Sequence, residues 1–230
     1  MTLTKRLLEA TFISRPNRFL AIIELGDKQL ETFVPNSGRM KELLIDSIPV
    51  LVWENGHSKR KTVYDLIAAW NEGEWVCIDS RIPNQFLYEL LSQKELSEFT
   101  RYPNITKEVT YRNSRFDFFL DGRDKGCFIE AKSCTLVEGS VALFPDAPTK
   151  LGTKHLMDLI SAVKEGYESY MIMIIQRSNA KSFSPNKKTD PEFASAMKQA
   201  VNKGVGVLAL STILKNQEIL FHQRVEVKIP

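Results

Sequence analysis

The 230-residue chain has only three cysteines, and none stands in a Cys-x-x-Cys pair. Cys77, Cys127 and Cys134 form an odd set at irregular spacing. That excludes a disulfide framework and a thiolate zinc site, and it points to buried free thiols in a reducing compartment. The three histidines, His57, His155 and His222, show no ligand spacing either. No apolar run approaches the roughly 18 residues of a membrane span; the longest, such as residues 170–175, have the length of a strand. No apolar stretch follows the Lys5-Arg6 pair, so no secretory signal is expected, and the chain reads as a cytoplasmic protein with no membrane partner. There is no internal repeat, no low-complexity segment, no P-loop, no Gly-x-Gly-x-x-Gly and no nucleophile–base pair. These absences leave a small-molecule enzyme with little support. Excess charge of one sign is also scarce. Lys and Arg number 31 against 28 Asp and Glu, a net charge of +3 that permits a polyanion partner without requiring one.

What is present is an ordinary globular balance, 43% hydrophobic and 26% charged, which excludes a disordered or fibrous chain. The first eighty residues read as short strands at 10–14, 18–25, 29–34, 49–53, 62–66 and 75–79. Turn formers such as Arg15-Pro16-Asn17 and Gly26-Asp27 separate them, and a short helix is expected at 39–45. So many short strands predict an OB-like small β-barrel over residues 1–82. From Pro83 the pattern changes. Pro83 opens a helix carrying Phe86, Leu87, Leu90 and Leu91, and strands follow at 108–112, 115–120 and 127–134. A helix at 152–166, a buried strand at 170–175, a helix at 192–202 and a strand at 205–210 complete an αβββαβαβ order. Residues 83–230 are therefore expected to be α/β, a mixed sheet flanked by helices on both faces.

The most informative stretch is residues 115–135, RFDFFLDGRDKGCFIEAKSCT. The turn from Asp121 through Asp124 to Gly126 is polar and glycine-bounded. If Asp121 pairs with Gly126, then Phe119 faces Phe128 and Asp117 faces Glu130. Lys132 shares the face of Glu130, while Phe116, Phe118, Leu120, Ile129 and Ala131 form an apolar face. Two carboxylates and a lysine then converge at the end of the hairpin away from its turn, unless a bulge breaks the register. Opposed carboxylates repel, and a hard cation such as Mg²⁺ or Mn²⁺ relieves the repulsion through oxygen ligands. Such a cation polarises a phosphoryl oxygen and activates water, and Lys132 suits the charge that develops at phosphorus. The alternative is a cross-strand ion pair on a solvated face. The apolar flanks favour the chemical reading, because charges in a covered sheet are costly unless paired or metal-bound.

Further candidates flank this core. Glu89, on the helix opened by Pro83, is a candidate third metal oxygen, with a solvated helix charge as the alternative. The stiff loop from Phe144 to Thr149 leads to Lys150, Lys154 and His155, groups suited to phosphate at a helix start. In the first half, Arg15 and Arg18 beside Phe19, Arg39 in Asn36-Ser37-Gly38-Arg39-Met40, and Lys61 in Lys59-Arg60-Lys61 can line a nucleic-acid groove, with Phe19 or Tyr64 for stacking. Solvated turns with core aromatics explain the same residues equally well.

Five segments carry a resemblance to a known family. They are Arg15-Pro16-Asn17-Arg18-Phe19, Asn36-Ser37-Gly38-Arg39-Met40, Arg60-Lys61-Thr62-Val63-Tyr64, Phe128-Ile129-Glu130-Ala131-Lys132 and LFPDAPTKLGTKH over residues 143–155. Together they resemble the sugar fermentation stimulation protein A family of prokaryotes. The resemblance implies an N-terminal OB-like domain, a C-terminal domain similar to PD-(D/E)XK nucleases, DNA binding, and a regulatory role in sugar, especially maltose, utilisation. It also implies Asp117 as the first acidic metal ligand, with Glu130 and Lys132 as the Glu-x-Lys pair. Ser37 stands where the family pattern has Thr, and Lys150 where it has Arg, which keeps the charge but loses a bidentate fork.

Two functions follow, a metal-dependent nuclease and a non-catalytic DNA-binding regulator on the same fold; the oligomeric state is left open. The small net charge hides unlike segments. Residues 1–82 carry 11 basic and 11 acidic side chains, residues 83–149 carry 8 and 10, and residues 150–230 carry 12 and 7. An acidic centre beside a basic flank suits a cation-dependent phosphodiester site.

Overall fold

The structure, a computed structural model, describes residues 1–56, 61–123 and 125–230. His57, Lys59, Arg60 and Asp124, singled out above, lie outside the described residues.

Strands β1 (Leu7–Asn17), β2 (Leu20–Leu25), β3 (Lys28–Phe33), β4 (Pro49–Glu54) and β5 (Tyr64–Asn71) form the first body. Alternation turns Ala10, Phe12, Ala21, Ile23, Val50 and Val52 into one core. Antiparallel ladders join β3 to β2, β2 to β1, β1 to β4 and β4 to β5. A parallel pairing of Thr32 with Tyr64 and Phe33 with Asp65 closes the ring, giving a five-stranded OB-like barrel without free edges. The helix expected at 39–45 is instead a turn. Met40 is buried with φ at 47°, in the left-handed region, and that conformation cannot propagate a right-handed helix.

Strand β6 (Glu74–Cys77) pairs with β5 and leads through Asp79 and Arg81 into α1 (Ile82–Ser92), where Pro83 occupies the first turn. The second body continues with β7 (Asn104–Tyr111), β8 (Ser114–Asp121), β9 (Cys127–Cys134), β10 (Val137–Glu138), β11 (Val141–Phe144) and α2 (Lys150–Lys164). After these come β12 (Glu168–Ile175), β13 (Ser182–Pro185), α3 (Pro191–Asn202), β14 (Gly206–Lys215), β15 (Glu218–Arg224) and β16 (Glu226–Val227). β9, β12 and β14 are parallel, and β7, β8 and β9 antiparallel, so the sheet is mixed. α1 covers one face with Phe86, Leu87 and Leu90; α2 and α3 cover the other with Leu156, Leu159, Phe193 and Met197. β12 is buried on both faces, sending Ile172 and Ile174 towards α1 and Met171, Met173 and Ile175 towards α2 and α3. Through Trp75 of β6 and Leu214 of β14 the barrel and this sheet share one hydrogen-bonded ladder.

The fold is thus an OB-like barrel followed by a mixed sheet flanked by helices, as expected. The element order is richer than expected after β9. β10, β11, β13 and β16 build a second, four-stranded sheet, and β15 extends β14 as a hairpin. The strands of that second sheet, two to four residues long, carry too little alternation to be read from sequence. All three cysteines are buried and free, and burial pushes their thiols up. Among the described residues, no helix is long and apolar enough to cross a membrane.

Gly126 sets how closely the β8–β9 hairpin closes. A Cβ there would lie 2.2 Å from the Phe119 ring, which is packed against Phe128 and Tyr167. Gly126→Ala is expected to cost about 2 kcal/mol through overpacking. Thermal unfolding checks this, and wild-type stability would mean that the ring yields freely.

Candidate active site

The β8–β9 pairing has the expected register, with Phe119 opposite Phe128 and Phe118 opposite Ile129. It stops one step short of Asp117 and Glu130. There the Asp117 side chain replaces the ladder, its Oδ2 accepting from the Ala131 N–H at 2.8 Å. Its Oδ1 accepts from Asn84 Nδ2 of α1 at 2.5 Å. The other neighbour of Asp117 is irregular too. β7 pairs with Phe116 and Phe118 through Val109 and Lys107, but Glu108 between them has φ at 56°. Strand alternation breaks at this point. Phe118 packs on the α1 side with Ile129 and Ala131, whereas Phe116 packs on the α2 side with Phe128, so the single apolar face expected for both is corrected.

Glu130 is 3% exposed. Its Oε1 accepts from Lys132 Nζ and lies 2.5 Å from His155 Nδ1 on α2. Lys132 Nζ and His155 Nδ1 are 3.3 Å apart. An ionised carboxylate only accepts, so His155 donates from Nδ1 in this arrangement. Burial works against the Glu130 anion, but His155 and Lys132 outweigh it and hold the carboxyl below the usual range. Glu130 Oε2 is buried and has no hydrogen-bond partner among the described residues. Asp117 goes the other way: burial first, then the Glu130 charge, push its carboxyl up to about 6. Two carboxylates with opposite shifts therefore line one cleft.

These side chains line a cleft of about 540 Å³ between the two bodies. Asp117, Glu130, Lys132 and His155 stand on one wall, and Arg18, Asn36, Ser37 and Gly38 of the barrel on the other. The loops of the two bodies touch across it. Met40 N–H donates to Asp146 Oδ2 at 3.1 Å, and a Cβ on Gly38 would come within 2.7 Å of that oxygen, so a side chain at position 38 would have to displace the carboxylate. α2 begins at the cleft because Thr149 caps it, its hydroxyl accepting from Gly152 N–H at 3.0 Å. Asp190, which caps α3, in turn accepts from Thr149 N–H at 2.7 Å.

Several expected site residues stand elsewhere. Glu89 faces the N-terminal amine of Met1 at 3.3 Å and does not line the cleft. On α1 it follows Asn84 by five residues, about 140° around the axis. Asn84, missed in the sequence, is the α1 side chain at Asp117; a lone amide beside Pro83 carries no distinguishing signal. Lys154 donates to the Asn113 carbonyl and Lys150 is exposed at the first turn of α2, so neither lines the cleft, whereas His155 is buried in it. Lys61 is exposed ahead of β5 and lines none of these walls. Arg15 is committed to structure: its guanidinium donates to the carbonyls of Arg18, Asn36, Gly38 and Arg39 at 2.7–3.0 Å. Arg18 and Arg39 are exposed.

A model of the SfsA N-terminal OB domain matches residues 13–78, and one of the sugar fermentation stimulation protein RE domain matches residues 81–218. The chain belongs to the sugar fermentation stimulation protein family. A sugar fermentation stimulation protein homolog of Clostridium kluyveri is 38% identical over 230 residues, covering all of both chains. One of Desulforamulus reducens is 45% identical over 205 residues, 89% of this chain and 85% of the relative. The solved structure of Pyrococcus furiosus SfsA in complex with Ca²⁺ superposes with a TM-score of 0.92 at 27% identity, again covering all of both chains.

Proposed function

We propose that this chain is a divalent-metal-dependent phosphodiesterase acting on nucleic acid, DNA foremost. In this reading residues 1–82 form the nucleic-acid-binding barrel and residues 83–230 the catalytic domain. The observation that carries the reading is the unpartnered, buried Oε2 of Glu130 in the cleft that also holds Asp117. A buried carboxylate oxygen without a donor is costly, and a hard cation satisfies it. The donor set fits. Among the described residues no three His, Cys, Asp or Glu side chains form a metal-holding group, so the ion would have two carboxylates and would take its remaining oxygens from water and substrate. The Pyrococcus furiosus relative was solved in complex with Ca²⁺, another oxygen-seeking dication.

Asp117 and Glu130 would hold the ion, which when bound would polarise the phosphoryl oxygen and make water a nucleophile near neutral pH. The protein supplies the rest. Asn84 and the Ala131 N–H fix the Asp117 carboxylate, and His155 fixes Glu130, so both ligands are oriented before substrate arrives. Lys132 brings a cation to the reacting phosphate, offsetting charge as it develops.

The test is incubation with single-stranded, duplex and branched DNA and with RNA, in Mg²⁺ or Mn²⁺. At least one substrate should be cut, and Lys132→Ala should cut it far more slowly. No cleavage of any of them, with binding that weakens steeply as salt rises, would replace this reading with the DNA-binding regulator of sugar utilisation.

Metal affinity should depend on pH. Because the Asp117 carboxyl sits at about 6 in the metal-free protein, metal must displace its proton as pH falls through that value. Calorimetric Mg²⁺ affinity is expected to be about tenfold weaker at about pH 5 than at about pH 7.5. An affinity unchanged across that interval would remove Asp117 from the ligand set.

A further inference from the structure

A second groove of about 520 Å³ opens on the barrel side of the catalytic cleft. The two share Arg18, Ser37, Gly38, Ala147 and Pro148 as walls, so they lie side by side. The outer groove adds the exposed cations Arg39 and Lys41, and no acidic side chain lines it among the described residues. Next in the chain to the lining residue Arg18, the β1–β2 turn presents Phe19, 48% exposed and stacked on Phe33 with ring centroids 6.3 Å apart. An aromatic backed by a second ring is a rigid platform for a flat partner. The groove is also pre-shaped, since Arg15 ties the carbonyls of both loops that border it.

This shape discriminates between nucleic-acid forms. The cleft has the volume of a small-molecule site, and the contact of Gly38 and Met40 with Asp146 closes across it. A duplex presents two backbones around grooves of about 6 and 12 Å, and its base faces are stacked away. A single strand has one backbone to follow a row of cations and free base faces to lie on an aromatic ring. We propose that the substrate enters as a single strand, its bases stacking at Phe19 and its phosphates passing Arg39, Lys41 and Arg18 to reach Asp117, Glu130 and Lys132. The substrate class is then a single-stranded polynucleotide (a free end, flap or gap), not continuous duplex. This rests on the phosphodiesterase reading above and narrows it.

The experiment is fluorescence anisotropy with labelled oligothymidylate, oligouridylate and blunt hairpin duplexes of each sugar type, run in EDTA, alongside cleavage of the same probes in Mg²⁺. Single strands should bind at least about tenfold more tightly than duplex in both sugar series. Phe19→Ala should weaken single-strand binding about tenfold. Arg39→Glu with Lys41→Glu should weaken it about a hundredfold and flatten its salt dependence. Each variant should keep the wild-type melting temperature and Mg²⁺ binding heat, since the carboxylates are untouched. Duplex bound as tightly as single strand in either series, or variants that bind like wild type, overturns this proposal. The two readings fail separately. Single strands bound through Phe19 but never cut would end the phosphodiesterase reading, whereas duplex cut as fast as single strand would end this one.

Discussion

Glu130→Gln is expected to lower metal-dependent cleavage by about a thousandfold or more, with fold and stability nearly intact. The substitution is isosteric, and the amide oxygen can still accept from Lys132 and His155 where Oε1 does now. What changes is the Oε2 position, buried and without a donor. An amide NH₂ there would offer hydrogens where the proposed cation would bind, and the net charge facing that cation would fall by one. Losing a charged ligand removes metal affinity and with it the Lewis acid, so the defect should appear both as lost Mg²⁺ binding heat and as lost turnover. Lys132→Ala should behave differently, costing about a hundred- to a thousandfold in turnover while Mg²⁺ still binds, because it removes charge at the reacting phosphate and leaves both carboxylates. Glu130→Gln cutting within about tenfold of wild type, at unchanged Mg²⁺ dependence, would take the metal site away from this cleft.

Arg81→Ala should be the most destabilising single change at a polar position. Arg81 stands where β6 leaves the barrel and α1 begins, and its guanidinium gathers two buried carboxylates. Nη2 donates to Asp65 Oδ2 at 2.8 Å and Asp79 Oδ2 at 2.5 Å, and Nε donates to both Asp79 oxygens at 2.9 and 3.1 Å. Asp79 is fully buried, and burial pushes its carboxyl up even with Arg81 in place. Removing the partner of a buried charge costs about 3–5 kcal/mol. Because the Arg81 side chain is 42% exposed and partly screened, the expected loss is at the lower end, about 3 kcal/mol. The deficit should widen as pH rises from acid to neutral. A carboxyl with a raised folded pKa favours the folded state while it keeps its proton and opposes it once the unfolded chain can ionise freely. Urea unfolding at two pH values measures both effects. A loss under about 0.5 kcal/mol would show that water reaches Asp79 when the guanidinium is gone.

How much of this could be read from the chain depends on the range over which each feature is decided. The β8–β9 hairpin was legible down to its register, because a six-residue polar turn and the two-residue period of a strand are local. From them Asp117, Glu130 and Lys132 fell at one end of the hairpin. The barrel and the buried β12 were legible for the same reason. Phe116 was misjudged because alternation breaks at Asp117, where a side chain takes the place of a backbone ladder bond. Whether Glu89 reaches the cleft or stands as a solvated helix charge was not legible, because the rotation of α1 about its axis is set by packing of Phe86, Leu87 and Leu90 on the sheet.

The basic residues separate the two sources of information most clearly. In sequence Arg15, Arg18 and Arg39 are equivalent turn cations, and Lys154 and His155 are adjacent polar residues on a helix. In three dimensions Arg15 is spent on four carbonyls, Lys154 on the Asn113 carbonyl and His155 on Glu130, while Arg18 and Arg39 remain exposed along the groove. Sequence alone therefore determined the two-part architecture, the hairpin and the identity of its carboxylates and lysine, all set by short-range periodicity and turn chemistry. Tertiary structure decided which partners those groups have and which cations remain free to meet a ligand. Burial and hydrogen-bond satisfaction belong to surfaces that meet only after the barrel has docked on the sheet.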